Sequence, residues 1–189
     1  MRHLNKNELK KFKSVGKDVK ISSYASFYFP ENITIGDYTR IDDFCVISAG
    51  TGGIEIGRNV HIAVYVSIQG AGKVTISDFA GLSSRTTVYS SNDDYSGKYL
   101  TGPTLPSIYT KVTSGDVYIG KHVIIGSGSV ILPNIKIGNG SAIGALSLVN
   151  KNCLPNSIYL GIPARRVKKR LKNLFELEKL YLAENNDEG

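Results

Sequence analysis

Three histidines, a run of carboxylates and a cluster of cations are the groups in this 189-residue chain with chemistry to offer. His61 stands in Asn59-Val60-His61-Ile62-Ala63. An imidazole there can take a proton from a hydroxyl or a protonated amine near neutral pH. Side chains alternate along a strand, so its place one residue before Ile62 directs it away from any core that Ile62 joins. His122, in Gly120-Lys121-His122-Val123, reads as a turn residue, and His3 lies in a terminal segment; neither is assigned chemistry. Asn92, Asp93 and Asp94, followed by Tyr95 and Tyr99, suit a polyhydroxylated ligand, and Asp93 or Asp94 could equally orient the imidazole. Arg165, Arg166, Lys168, Lys169, Arg170 and Lys172 fall close together and suit phosphate, with Lys121 and Lys151 as outlying cations.

Other chemistries find no footing. No Ser-His-Asp arrangement is apparent, and Ser127, Ser129, Ser141 and Ser147 follow a repeat instead. Cys45 and Cys153 form neither a metal spacing nor a disulfide framework, so no metal is expected. The net charge of +7 is largely the C-terminal cluster, which argues against a broad nucleic-acid footprint. No apolar run approaches membrane-spanning length, and MRHLNKNELKKF lacks a signal-peptide core, so a cytoplasmic protein is expected.

What must position these groups is a six-residue beat. Ile119, Ile125, Ile131, Ile137, Ile143 and Val149 are six apart, as are Ile35, Ile41 and Ile47, then Ile56, Ile62 and Ile68, then Ile76, Leu82 and Val88. Small or β-branched residues stand two before many of these, as at Thr39, Cys45, Val60, Ser129 and Ser141, and glycines often follow. Period two within period six means short strands joined by sharp bends. Such strands cannot bury a face alone, but stacked into a solenoid they share one aliphatic core. Small insertions at GTGG and GAGK bulge at a corner. Between Val88 and Ile119 the interval is 31 residues, and the excess reads as a loop over about residues 89–116, an arm for a sugar or a neighbouring subunit. After Arg165 the spacing of Val167, Leu171, Leu174, Leu177 or Glu178, and Tyr181 predicts an amphipathic helix over 165–184, packed on the solenoid, with a frayed tail at 185–189. Leu4, Leu9 and Phe12 suggest a short capping helix at the other end.

The hexads, with the ending Tyr159-Leu160-Gly161-Ile162-Pro163-Ala164-Arg165, resemble the hexapeptide-repeat acyltransferases, and especially the sugar O-acetyltransferases and nucleotide-sugar N-acetyltransferases. The resemblance covers most of residues 33–164. It implies a left-handed parallel β-helix of triangular coils over residues 1–164, an all-β solenoid with an inserted loop and a C-terminal α-helix. It also implies a homotrimer with its site between subunits and direct transfer from acetyl-coenzyme A. His61 would be the base, with Asn92, Asp93, Asp94, Tyr95 and Tyr99 on the acceptor side. Gly126 and Ala145 would line the path of coenzyme A, with Lys151, Arg165, Arg166 and Lys168 toward its phosphates. One departure is Val64, where some of those proteins carry a histidine. A sugar hydroxyl is the first expectation for the acceptor, the amine of a nucleotide sugar the second, and a non-catalytic sugar-binding or scaffold trimer the third. A zinc hydratase of the same repeat family needs three convergent histidines, whereas His61 and His122 occupy different places in the hexad.

Overall fold

The computed structural model describes residues 2–186. Hexads fold as strands of two to four residues followed by a corner, and three make one coil of a left-handed parallel β-helix. Three sheets of six, eight and six strands form the sides of the prism. The first holds Ile33–Ile35, Ile54–Ile56, Val74–Ile76 and Val117–Ile119 among others; the second, Arg40–Ile41, His61–Ile62, Gly81–Leu82, Ile124–Ile125 and Ala142–Ile143; the third, Val46–Ala49, Ser67–Gly70, Thr87–Tyr89 and Val130–Ile131. Stacking is in register. In the second sheet Ile21, Ile41, Ile62, Leu82, Ile125, Ile143 and Tyr159 oppose one another coil by coil, all buried.

The small residues two before each aliphatic are buried as well, and they show why small polar types are used. Thr39 Oγ1 donates to the Gly57 carbonyl at 2.8 Å, Ser129 Oγ to Gly144 at 2.9 Å and Ser141 Oγ to Leu154 at 2.7 Å. These three hydroxyls are satisfied by the next coil, which offsets the cost of burying them, whereas the buried Thr86 Oγ1 of the same series has no partner among the described residues. Two of the three corners repeat a left-handed residue: Asp18, Tyr38, Asn59, Phe79, His122 and Asn156 at the first, and Phe44, Tyr65, Arg85 and Leu146 at the second. Several are bulky, so the stack holds a backbone conformation that such side chains otherwise avoid.

The third corner differs. Phe27 to Ile35 spans eight residues, Ile47 to Ile56 nine, Ile68 to Ile76 eight and Val88 to Ile119 thirty-one, before Ile131 to Ile137 returns to six. Every lengthened interval along the repeat thus falls at one vertex. The long loop leaves on an antiparallel stalk, Ser91–Asn92 with Thr113–Ser114.

Both ends are closed. A four-residue helix, Lys6–Leu9, capped by Asn5, brings Leu4, Leu9 and Phe12 onto the first coil, and Phe12 meets Phe27 edge-on at 4.9 Å. The C-terminus departs from expectation: Arg165–Lys169 is a strand, antiparallel to Ser157–Leu160, and the helix runs from Asn173 to Asn186. A last coil leaves one row of backbone groups unpaired, and a returning strand covers that edge as a helix could not. Of the expected packed face, Glu178 and Tyr181 contact the first corner at His122, Phe79 and Asn59, joined there by Phe175, whereas Leu177 is exposed and Val167 and Leu171, also exposed, precede the helix. Of the expected tail, residues 187–189 lie outside the described residues.

Because Ile125 is wholly buried in this column, Ile125→Asp sets a carboxylate among aliphatic side chains, at a cost of several kcal/mol, roughly 3–5. The variant is expected to lose soluble, cooperatively melting protein. Gel filtration with circular dichroism checks this, and a native-like melt would show that the hexad phase is misassigned.

Candidate active site

His61 projects from the second sheet with about half its side chain exposed. Its Nε2 lies 2.9 Å from Asp42 Oδ2, and Arg40 Nε donates to Asp42 Oδ1 at 2.6 Å. Burial raises the Asp42 pKa, but the hydrogen bonds from His61 and Arg40 outweigh it and hold that carboxyl below its ordinary range. An ionised carboxylate only accepts, so His61 must place its proton on Nε2, and in the neutral ring the lone pair is then on Nδ1. The orienting carboxylate is therefore Asp42, one coil below, and neither Asp93 nor Asp94 makes a described contact with His61. Stacking Ile41 on Ile62 brings Arg40 opposite His61 and Asp42 beside it. That register was the signal in the sequence that could have found it.

Next to His61 the surface opens. Gly81, opposite it on the following coil, has no side chain, and a Cβ there would come within 3.0 Å of Ile124 Cδ1. A hollow of about 240 Å³ results, lined by His61, Ala63, Gly81, Ser83, Ser84, Ile124 and Ser127. Continuing across the coils in register come Ile124, Ala142, Ile158 and Lys168. The path is uncharged from Gly81 to Ile158 and cationic at its end. At about 4.8 Å per strand it is about 24 Å long.

A second depression, of about 550 Å³, lies at the third corner under the long loop. The lengthened corners supply its floor at Ala49, Gly50, Gly70 and Ala71; Phe29, Ser48, Gln69 and Tyr89 flank it; and Leu105, Ser107 and Thr110 roof it. Asn92 and Asp93 line it, whereas Asp94, Tyr95 and Tyr99 do not. Asp94 is held by the Ser96 hydroxyl at 2.9 Å, Tyr95 stands almost free in solvent, and Tyr99 carries Lys111 Nζ 5.4 Å above its ring.

Residues 116–151 match the family described as bacterial transferase hexapeptide (six repeats). The chain is 55% identical over 183 residues to a dTDP-4-amino-4,6-dideoxy-D-glucose acyltransferase of Escherichia coli, covering 96% of this chain and 95% of that one. It belongs to the hexapeptide-repeat acyltransferases. A lipopolysaccharide-biosynthesis O-acetyl transferase of Escherichia coli K12, itself a putative assignment, is 32% identical over 152 residues, covering 79% of this chain and 74% of the relative. Among solved structures, AntD, an N-acyltransferase from Bacillus cereus in complex with dTDP and 3-hydroxybutyryl-CoA, superposes with a TM-score of 0.93 at 45% identity, covering 97% of this chain and 98% of AntD.

For an acyltransferase of this family the remaining expected residues separate into two groups. Arg165, Arg166 and Lys168 lie exposed on the terminal strand, at the cationic end of the path, with Arg166 Nε donating to Ser157 Oγ at 3.0 Å. Lys151 sits at the third corner, after the third-sheet strand Leu148–Val149, away from that strand. Gly126 is explained by stacking: a Cβ there would sit 2.4 Å from the Ala145 backbone nitrogen. Lys121 and His122 are both engaged by Glu178, at 2.5 and 2.7 Å, so His122 is a docking point for the C-terminal helix and not a bare turn residue. No group of three or more His, Cys, Asp or Glu able to hold a metal occurs among the described residues. Nor is any helix among them long and apolar enough to cross a membrane.

The lowered Asp42 pKa has a signed consequence. Its pairing adds stability above the ordinary carboxylate pKa, and that contribution is lost as pH falls through the depressed value in the folded protein. Asp42→Asn is expected to melt lower than the parent at pH 7, by roughly 1 kcal/mol given half-exposed partners. The gap should narrow steadily as pH falls below the ordinary carboxylate range. Melting curves down that acid series check it; a gap that does not narrow would place the effect elsewhere.

Proposed function

We propose that this protein transfers an acyl group from acyl-coenzyme A to the amino group of a nucleotide-linked aminodeoxysugar. The observation that carries the reading is the near-complete match, in sequence to an acyltransferase of a dTDP-linked amino sugar and in fold to an N-acyltransferase seen with dTDP and an acyl-CoA. The order of the acceptor expectations is thereby reversed. The nucleotide-sugar amine comes first and a free sugar hydroxyl second, the latter kept by the likeness to the O-acetyl transferase.

The geometry supports a division of labour. The path on the second sheet suits an extended pantetheine arm, with its thioester at the hollow beside His61 and its phosphates at Lys168, Arg165 and Arg166. The loop cleft suits the acceptor: neutral and aromatic surface for a base and sugar, with Asn92 and Asp93 for hydroxyls. Asp94 is half-buried at the loop's origin. Burial pushes its pKa up, but the Ser96 hydroxyl and nearby backbone N–H groups push it further down, so it is an anion just outside the cleft lining. In the reaction His61 Nδ1 takes a proton from the protonated amine. The freed nitrogen lone pair then attacks the thioester carbonyl; as the carbon–sulfur bond breaks the nitrogen gives up a second proton, and that proton leaves with the sulfur as the thiol of coenzyme A.

With donor and acceptor surfaces assigned in this way, one chain alone does not bring them together. In a triangular prism the second side lies opposite the vertex between the third and first sides. The hollow at His61 and the loop cleft are therefore on opposite sides of the same molecule. Donor and acceptor meet only if the loop of one copy reaches the second sheet of the next, and a closed ring of three satisfies every copy. This is the basis for proposing a homotrimer.

Three measurements test the reading. With acetyl-CoA and a panel of acceptors, product analysis by NMR should place the acetyl group on nitrogen of a dTDP-amino sugar; exclusive acetylation of hydroxyls would reinstate the first expectation. His61→Ala should keep its fold and coenzyme A affinity but turn over roughly 10²–10⁴-fold more slowly, and full activity would leave an already neutral amine as the better mechanism. Co-refolding His61→Ala with a variant lacking residues 95–110 should restore part of the activity that each lacks alone, because a mixed trimer contains intact pairs of surfaces. No restoration, in a mixture shown to contain mixed trimers, would mean that each site comes from one chain.

A further inference from the structure

All five residues of Arg165–Lys169 are exposed, and the strand pairs on one side only, with Ser157–Leu160. A hollow of about 640 Å³, lined by Ile158, Lys168, Arg170, Leu171 and Leu174 among others, separates its end from the start of the C-terminal helix. Packing alone does not fix such a strand.

What fixes it is the next residue. Arg170 N donates to the Asn156 carbonyl at 2.9 Å. Its Nη1 reaches three carbonyls, those of His122 at 2.9 Å, Ser141 at 3.0 Å and Gly140 at 3.3 Å. Eight residues further along, Glu178 returns to the same place. One of its oxygens lies 2.7 Å from His122 Nε2 and the other 2.5 Å from Lys121 Nζ, with the side chains of Glu178 and His122 only 8% and 10% exposed. The imidazole is stacked on Phe79 and met edge-on by Phe175, both with centroids at 5.1 Å. His122 therefore holds the C-terminal segment twice, by its backbone carbonyl and by its ring.

We propose that Glu178, His122 and Arg170 are positioning residues for the acyl donor: they clamp the C-terminal helix and the end of the terminal strand to one corner, and so fix where Arg165, Arg166 and Lys168 meet the phosphates of coenzyme A. The inference rests on the donor assignment made above. Removing the Glu178 carboxylate leaves Lys121 and His122 facing each other without their shared partner, and the helix loses its buried anchor. The cationic strand then samples other positions, while the loop cleft at another corner is untouched.

Calorimetry on the intact oligomer separates this from general destabilisation. Titrants are coenzyme A, 3′-dephospho-coenzyme A and dTDP. Glu178→Ala is expected to weaken coenzyme A roughly 3- to 30-fold while leaving dTDP within about twofold, and Glu178→Gln should recover part of the loss. In an Arg165→Gln/Arg166→Gln background the same change should cost little more, because the side chains being positioned are gone. Losses that add in full across this cycle, or equal losses for coenzyme A and dTDP, overturn the inference. Should Glu178→Ala fail to give soluble oligomer, Glu178→Gln carries the same cycle with the same outcomes. If Arg165→Gln/Arg166→Gln by itself leaves coenzyme A affinity unchanged, the donor assignment falls and the inference with it. A loss there with full additivity on Glu178→Ala removes the inference alone.

Discussion

Strands of two or three residues cannot pair their backbone groups within themselves, so each must lie directly over the strand one coil before it. Every other feature follows from that demand. The beat of six is kept because a slip would break the ladder in all three sheets at once, and the aliphatic residues stack because the ladder puts them there. Thr39, Ser129 and Ser141 extend the same rule to side chains, each donating to the carbonyl of a neighbouring coil. The left-handed corners at Tyr65, Phe79 and His122 are held by it too.

Function occupies the places where the ladder leaves freedom. Outward positions are free in chemistry but fixed in location. His61, Gly81, Ile124, Ala142 and Ile158 therefore form an ordered surface that no loop could keep as straight. The third corner is free in length, and there the chain widens until it leaves the prism at Ser91. The first corner is used for closure, with the helix lying on Asn59, Phe79 and His122.

The fold was legible because the repeat is written many times over, with its phase fixed by isoleucines. His61 pointing outward followed from Ile62 alone. Asp42 did not, because it requires knowing which coil lies under which, although pairing Ile41 with Ile62 would have supplied it. The terminal strand was hidden for a different reason. Val167 and Leu171 fit a helical spacing, and only the unpaired edge of Ser157–Leu160 reveals that an antiparallel strand is needed first. His122 read as an ordinary corner because its partner Glu178 lies fifty-six residues away on an element packed by tertiary contact alone. The choice between amine and hydroxyl was not in the residues at all, since one outward imidazole can serve either.

The confinement of every lengthened interval to one vertex separates two kinds of change. A substitution on the second side alters a surface built from coils that also support one another, so the path proposed for the pantetheine arm is conservative by construction. An insertion or deletion at the third vertex shifts no strand register, as the return to six residues between Ile131 and Ile137 shows. On the proposed division of surfaces, a chain of this build changes its acceptor by editing one vertex of a triangle and keeps its donor while doing so.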